Sequence, residues 1–314
     1  MVDEIGHDAR EQRAEHWDAY WRRPTPTNAA DSGAVTGPRQ AQFLAKFWAD
    51  FFASARIKRN NLPIADLACG TGAISHVAPA DIRERIIGID YAASGACAMA
   101  LRGGMGVVAS VDAAPIPDRA CAAIVSQFGV EYAGAAAFPE AARILSRGGA
   151  LGVVSHMRDG VIDQECASNA RITRSILNSD FFASALAVLA GGGDGSAAAF
   201  DAATGALKIQ AAGFPDVAAS KLASQLLQDG PRLIERRVAY NAEDLRQWFS
   251  GMEQETALYL ARMKAMCAAA LSDTDVDKIV SGWRADGLEC APPRKMKIDE
   301  DARAFAWRLE ARRL

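Results

Sequence analysis

The chain predicts a doubly wound α/β fold on a mostly parallel sheet, and three observations carry the prediction. Ile64-Ala65-Asp66-Leu67-Ala68-Cys69-Gly70-Thr71-Gly72-Ala73 reads as a buried strand that passes into a glycine turn and then a helix. Ile86-Ile87-Gly88-Ile89-Asp90 reads as a second strand, ending in an acid 20 residues after Gly70. Strand and helix patterns then alternate from 62 to 156, as parallel strands joined by crossover helices do.

The elements follow in order. Residues 1–61 form a helical N-terminal cap. Glu11 to Trp21 reads as one helix, Pro24 to Pro38 as a loop, and Gln40 to Ala55 as a second helix. Phe43, Phe47, Trp48, Phe51 and Phe52 recur there at helical spacing, which suits packing against the sheet. The strand ending at Asp66-Leu67 and the strand ending at Asp90 come next. Ala123 to Gln127 is the following apolar strand, and Ala150 to Ser155 the one after it. In an open parallel sheet, ligands bind at the carboxyl ends of the strands.

Gly70 and Gly72 carry no side chain, so the backbone can turn sharply and approach a ligand closely. Amides at the start of the next helix can meet a polar or anionic group. The spacing of Asp90 suits a carboxylate that grips ribose hydroxyls. These features point to an adenosine-bearing cofactor, either a dinucleotide or S-adenosylmethionine. A dinucleotide turn reads G-x-G-x-x-G; here Ser75 holds the third position and leaves the motif incomplete. Asp66 stands four residues before Gly70. A carboxylate there repels a pyrophosphate and tolerates an ammonium or a sulfonium.

At these residues the chain resembles the class I S-adenosylmethionine-dependent methyltransferases, in particular their small-molecule type 11 branch. Asp66-Leu67-Ala68-Cys69-Gly70-Thr71-Gly72 is similar to the first motif of the family. Gly88-Ile89-Asp90-Tyr91 resembles the second, and Val111-Asp112-Ala113-Ala114-Pro115-Ile116-Pro117 the third. Ala123 to Gly129 matches the fourth strand, and Arg143 to Leu151 the turn before the fifth. The resemblance covers residues 62 to 156. It implies a seven-stranded Rossmann-like sheet, S-adenosyl-L-methionine as cofactor and S-adenosyl-L-homocysteine as product. It implies a cofactor-binding set of Asp66, Ala68, Gly70, Gly72, Asp90, Tyr91, Asp112, Ala113 and Gln127, and no metal.

Beyond His156, Asp163 to Leu189 reads as helical and Gly191 to Gly195 as a loop. Gly213-Phe214-Pro215-Asp216-Val217 resembles the turn that enters the family's sixth strand, at about 216–223. The core then spans 62–223. Residues 224–300 become a helical insertion, a substrate lid, with helices at Ala242 to Leu271 and Asp273 to Ala285. Ala304 to Ala311 alternates with period two and reads as a last strand within 302–314, returning antiparallel. A helical C-terminus stays open as the alternative.

Composition narrows the function. The formal net charge is −3, which gives no electrostatic case for nucleic acid or an anionic membrane. No apolar run is long enough to span a bilayer, and the first residues carry no signal-peptide core. The 6 cysteines are scattered without metal-ligand spacing, which suits a cytoplasmic protein. Ser126-Gln127-Phe128-Gly129 stands where methyltransferases of base amino groups carry an N-P-P-Y type tetrad. That argues against base amino methylation; the helical insertion, read as a lid over a modest pocket, suggests a small-molecule methyl acceptor or a short peptide end, with a homodimer through the insertion left open.

Removing a proton from an amine or hydroxyl acceptor calls for a base. His156 follows the fifth strand and emerges at its carboxyl end. Glu131 and Tyr132 follow the fourth strand. These three are the catalytic candidates; geometry without any base is the alternative. Trp17, Tyr20 and Trp21 are read as helix packing or as a cover over the methionine end of the cofactor. Two further readings stay open: an NAD(P)-dependent oxidoreductase, and a catalytically silent S-adenosylmethionine-binding partner subunit.

Overall fold

The computed structural model describes residues 17–22, 37–53, 57, 61–101, 104–299 and 302–314. Of the helix expected from Glu11, residues 17–21 are described and helical; its earlier part lies outside the described residues, as does the expected loop over 24–36. Helix α1 is Pro38–Phe52. Extended Gly37 precedes it and Pro38 opens it, where the missing N–H costs nothing. Its buried stripe is Gln40, Leu44, Phe47, Trp48 and Phe52. The aromatic residues expected to pack on the sheet do so. Phe43 meets Phe305 edge-on at 6.0 Å, and Trp48 donates to Gln127 Oε1 at 2.7 Å.

The sheet unit comprises residues up to Asp163 and from Ala269 onward. Its strands are β1 Ile64–Leu67, β2 Ile86–Asp90, β3 Met105–Val108, β4 Cys121–Gln127 and β5 Leu145–His156. After the inserted unit come β6 Leu288–Cys290, β7 Arg294–Met296 and β8 Ala306–Arg313. The order is β3-β2-β1-β4-β5-β8-β6, with β7 also on β8. Neighbours among the first five strands pair parallel. β8 runs antiparallel to β5, with Leu151 opposite Ala311 and His156 opposite Ala306. Short helices α2 Ala73–Val77 and α3 Ala80–Arg83 join β1 to β2. α4 Ala93–Leu101 joins β2 to β3, and α5 Ala137–Ile144 precedes β5.

The last strand lies where the period-two pattern predicts, and the helical C-terminus falls away. Pairing on both faces of the β8 backbone, from β5 and from β6 with β7, accounts for this. The fifth strand differs in detail. Gly148 and Gly149, expected as a turn before it, form an irregularity within β5, where Cys121 faces Leu145 but Ala123 faces Ala150. Gly148 has φ +73°, so the extra residues loop out at a glycine.

The sixth strand is the main correction. Residues 218–235, expected to begin as strand, are a helix in the structure. Its buried residues Ala219, Ala223, Leu226, Gly230 and Ile234 fall at spacings of three and four, the period of a helix. The outer strand position is filled instead by β6 and β7, which pair successive stretches of β8. Pro292 and Pro293 lie between them. Proline has no N–H for a ladder and is confined to edges and bulges, so one edge strand is broken into two.

The helical insertion also has other limits than expected. The second compact unit is Gln164–Ala268, not 224–300. It holds most of α6 Val161–Leu177, then α7 Phe181–Leu189, α8 Asp194–Ala211, α9 Ala218–Glu235 and nearly all of α10 Ala242–Ala269. Its own core includes Ile172, Phe181, Phe182, Phe200, Leu226 and Phe249. Helix α11 Asp273–Ala285 belongs to the sheet unit. Ser272 caps it in a reciprocal box with Asp275, and Trp283 donates to the carbonyl of Phe138 at 2.8 Å.

Candidate active site

Strand order reverses beside β1, between β2 and β4, which is where open α/β sheets bind ligands. The turn after β1 has Ala68 at φ +55°, Gly70 at +50° and Gly72 at +86°. Two glycines relieve most of that left-handed backbone. A Cβ on Gly72 would sit 2.5 Å from Met99 Sδ, and one on Gly129 2.6 Å from the Cβ of Ala68. The loops after β1 and β4 approach so closely that no side chain fits between them.

Asp90 ends β2 and grips this turn. Its Oδ2 accepts from the Gly70 amide at 2.7 Å and its Oδ1 from the Ala92 amide at 2.8 Å. Burial pushes its carboxyl up, and those two amides oppose the shift. Asp66 is buried with it, and Asp66 Oδ2 has no hydrogen-bond partner. Burial, then the nearby charge of Asp90, holds the Asp66 carboxyl well above the usual carboxylate range. An orphaned oxygen beside a glycine cradle is a site for a donor that the fold itself does not supply.

The Asp66 shift has a sign that can be tested. In the unfolded chain Asp66 ionises near pH ~3.9; in the folded chain it holds its proton to higher pH. Stability is therefore full below the unfolded value and falls as pH rises, by about 1.4 kcal/mol per unit, until the folded carboxyl ionises. Asp66→Asn removes that loss. Urea unfolding from pH 4 to 7 is expected to show the variant gaining on the native protein as pH rises; parallel profiles would refute the assignment.

The three catalytic candidates come together. Glu131 Oε1 accepts from the His156 backbone N–H at 2.8 Å and lies 2.7 Å from His156 Nδ1. A carboxylate oxygen there can accept from Nδ1–H, the tautomer that leaves the lone pair on Nε2. Nε2 and Glu131 Oε2 are buried without hydrogen-bond partners. Phe128 lies over the imidazole at 4.8 Å between centroids, and Tyr132 meets it edge-on at 5.5 Å. A histidine oriented by a carboxylate, with the far nitrogen unbonded, is the arrangement of a general base.

A family model described as a methyltransferase domain matches residues 65–153, the span of these motifs from β1 to β5. The match falls on a methyltransferase domain and agrees with the resemblance of these motifs to the class I S-adenosylmethionine-dependent methyltransferases. Among curated proteins no sequence matches. Solved structures with some likeness include the geranyl diphosphate C-methyltransferase of Streptomyces coelicolor, at 17% identity and TM-score 0.34, over 46% of this chain and 65% of that one. An S-adenosylmethionine-dependent methyltransferase of Mesorhizobium loti matches at 18% and 0.29, over 33% of this chain and 54% of that one. The magnesium protoporphyrin IX methyltransferase of Synechocystis matches at 11% and 0.41, over 88% and 84%. In the first two, the chain spans about half to two thirds of the neighbour. Likeness this slight carries no acceptor across.

The other residues expected to hold a cofactor lie around the same strand ends. Tyr91 follows Asp90 and is partly exposed. Asp112 and Ala113 form a single 3₁₀ turn after β3, and Ser110 donates its hydroxyl to Asp112. Arg143 fastens the loop that follows. Its guanidinium reaches the carbonyls of Ala114 and Ile116 at 3.2 and 2.8 Å, and pairs with Glu140 and Asp118. Gln127 ends β4 with its side-chain oxygen taken by Trp48. Cys69 is buried, its thiol pushed well above the ordinary range by burial, which fits a packing residue.

Two features escaped the sequence reading. Phe128 has φ +52°, rare for a bulky residue, and nothing in its neighbours signals that. Asp18 bonds to Ser94, accepting from its amide at 2.7 Å, while the Ser94 hydroxyl donates to the Asp18 carbonyl at 2.9 Å. The partners are far apart in the chain, and the only local hint was the aromatic run around Asp18. Among the described residues, no helix is long and apolar enough to cross a membrane.

Proposed function

We propose that the protein transfers the methyl group of S-adenosylmethionine to an oxygen, nitrogen or carbon nucleophile of a small molecule, by in-line displacement, with His156 as general base. The observation that carries this reading is the 2.7 Å contact of Glu131 with His156 Nδ1, beside a glycine turn, with Nε2 unpartnered. The residues fit the cofactor. Gly70 and Gly72 offer bare backbone, Asp66 an orphaned acceptor, and Asp90 a carboxylate for ribose hydroxyls. Asp112 and Ala113 are assigned to the adenine, and Ala68, Tyr91 and Gln127 complete the proposed cofactor set. When bound, S-adenosylmethionine supplies an electrophilic methyl carbon on a sulfonium.

The chain does the rest. Glu131 fixes the tautomer and orientation of His156. His156 Nε2 takes the proton of the acceptor, and Glu131 stabilises the imidazolium that results. Phe128 and Tyr132 keep water from the imidazole. Calorimetric titration with S-adenosylmethionine, S-adenosylhomocysteine and NADH tests the reading. Binding of the two adenosyl-sulfur ligands with no heat from NADH is expected; the reverse would overturn it. Asp90→Ala is expected to weaken S-adenosylmethionine by about 1–3 kcal/mol, through loss of charge-assisted hydrogen bonds. Unchanged affinity would take Asp90 out of the site.

A further inference from the structure

Residues 17–22 touch the glycine turn and the surroundings of the base at once. The Trp21 indole lies on Gly70, so close that a Cβ there would fall 2.6 Å from Cζ2, and a Cβ on Gly95 would fall 3.2 Å from Cδ1. Trp17 meets the Tyr132 ring at 5.1 Å, and Tyr132 in turn lies on His156. Trp17 and Trp21 stack with each other at 6.5 Å, and Tyr20 meets both. Asp18, between them, anchors the segment. It accepts from the Ser94 amide in the first turn of α4, two residues beyond the Asp90–Ala92 turn. That amide is the largest influence holding the Asp18 carboxyl below its usual range, so it bonds as a carboxylate. Arg22 pairs with the same carboxylate on the surface.

We propose that residues 17–22 form a strap across the cofactor site, latched by Asp18 on Ser94, which must lift for the cofactor to enter or leave. The face of Gly70 that lets a ligand approach is the face the Trp21 indole occupies. Both cannot hold it, so passage requires the indole to move. Because Trp17 rests on Tyr132, the same movement uncovers the ring that shields His156. Asp18 is thus a positioning residue that acts through Trp21 and Trp17. The inference rests on the glycine turn being the cofactor site, as proposed above.

A latch predicts more than a contribution to affinity. A lost affinity contact raises the dissociation rate and Kd together. A loosened latch raises association and dissociation rates together and moves Kd less than either. The test uses the full chain and tritiated S-adenosylhomocysteine, with rates from rapid filtration. In Asp18→Ala both rates are expected to rise about tenfold, the effect of one charge-assisted hydrogen bond. Asp18→Asn keeps an acceptor for Ser94, and Arg22→Ala removes only the surface pair; both should stay within about twofold of native. Ser94→Ala, which removes the second bond, should speed both rates by a smaller factor and guards against misfolding of the Asp18 variant.

Unchanged rates in an Asp18→Ala protein that still binds would overturn the strap alone. A rise in dissociation matched by Kd would also overturn it, as would an Arg22→Ala protein that copies Asp18→Ala. Failure of the native protein to bind S-adenosylhomocysteine would overturn the functional reading, and the strap with it, before any variant is compared.

Discussion

Glu131→Gln is expected to lower turnover about 10²- to 10⁴-fold, the range that a positioned general base contributes, while S-adenosylmethionine affinity stays within about twofold, because no charge that binds the cofactor is removed. The reason is charge. Glu131 Oε1 meets both the His156 backbone N–H and Nδ1, and Oε2 has no hydrogen-bond partner. Glutamine with its oxygen in the Oε1 place keeps both bonds and the tautomer, but it is neutral. An imidazolium formed by proton transfer to Nε2 then loses its counter-charge. His156→Ala should reduce turnover by a similar factor, and the double variant little further, because the two residues act as one unit. Single-turnover kinetics with a responsive acceptor read this directly. Full activity in Glu131→Gln would mean that alignment alone drives the reaction and that the pair is structural.

Gly70→Val is expected to weaken S-adenosylmethionine more than about 100-fold, while the protein remains folded. Two effects add. Gly70 sits at φ +50°, which a β-branched residue adopts only at a cost of about 1–3 kcal/mol. Its side chain would also fill the face that the ligand must approach. The neighbour it strikes is Trp21, a side chain of a short segment rather than sheet backbone, so the strain can be relieved without unfolding the core. Gly106 offers the contrast. A Cβ there would lie 1.9 Å from the Ala96 carbonyl oxygen, which is backbone in a packed helix. Gly106→Val should therefore lower the melting temperature far more than Gly70→Val, whereas calorimetry should show the larger affinity loss per degree of melting in Gly70→Val. Normal binding by Gly70→Val would place the cofactor elsewhere.

Much of the sheet around the glycine turn was legible because its signals are local. The run from Asp66 to Gly72 is contiguous, and its glycines mark positive φ in any context. Asp90 was legible because a strand, a short helical connection and a second strand set a spacing that the topology preserves. The last strand was legible because its alternation reports burial on one face, as its observed burial pattern shows. The sixth strand was misread because Val217 and Leu222 are the only large apolar residues in its expected span, while the decisive residues, Leu226 and Ile234, lie beyond it. The true outer strand was overlooked because its halves are short and divided by Pro292 and Pro293.

Local sequence specifies the glycine turn, the acid placed to meet it, the parallel run of the first strands and the antiparallel return of the chain. Each is encoded by neighbours in the chain through turn chemistry or periodicity. Tertiary structure alone decided that Glu131 and His156 share a hydrogen bond, that Asp18 latches onto Ser94, and that the helical unit runs from Gln164 to Ala268. Those are matters of which strands lie side by side and which side chains then meet. Lateral order in a sheet is settled by the packing of the whole core, and no short stretch of sequence carries it.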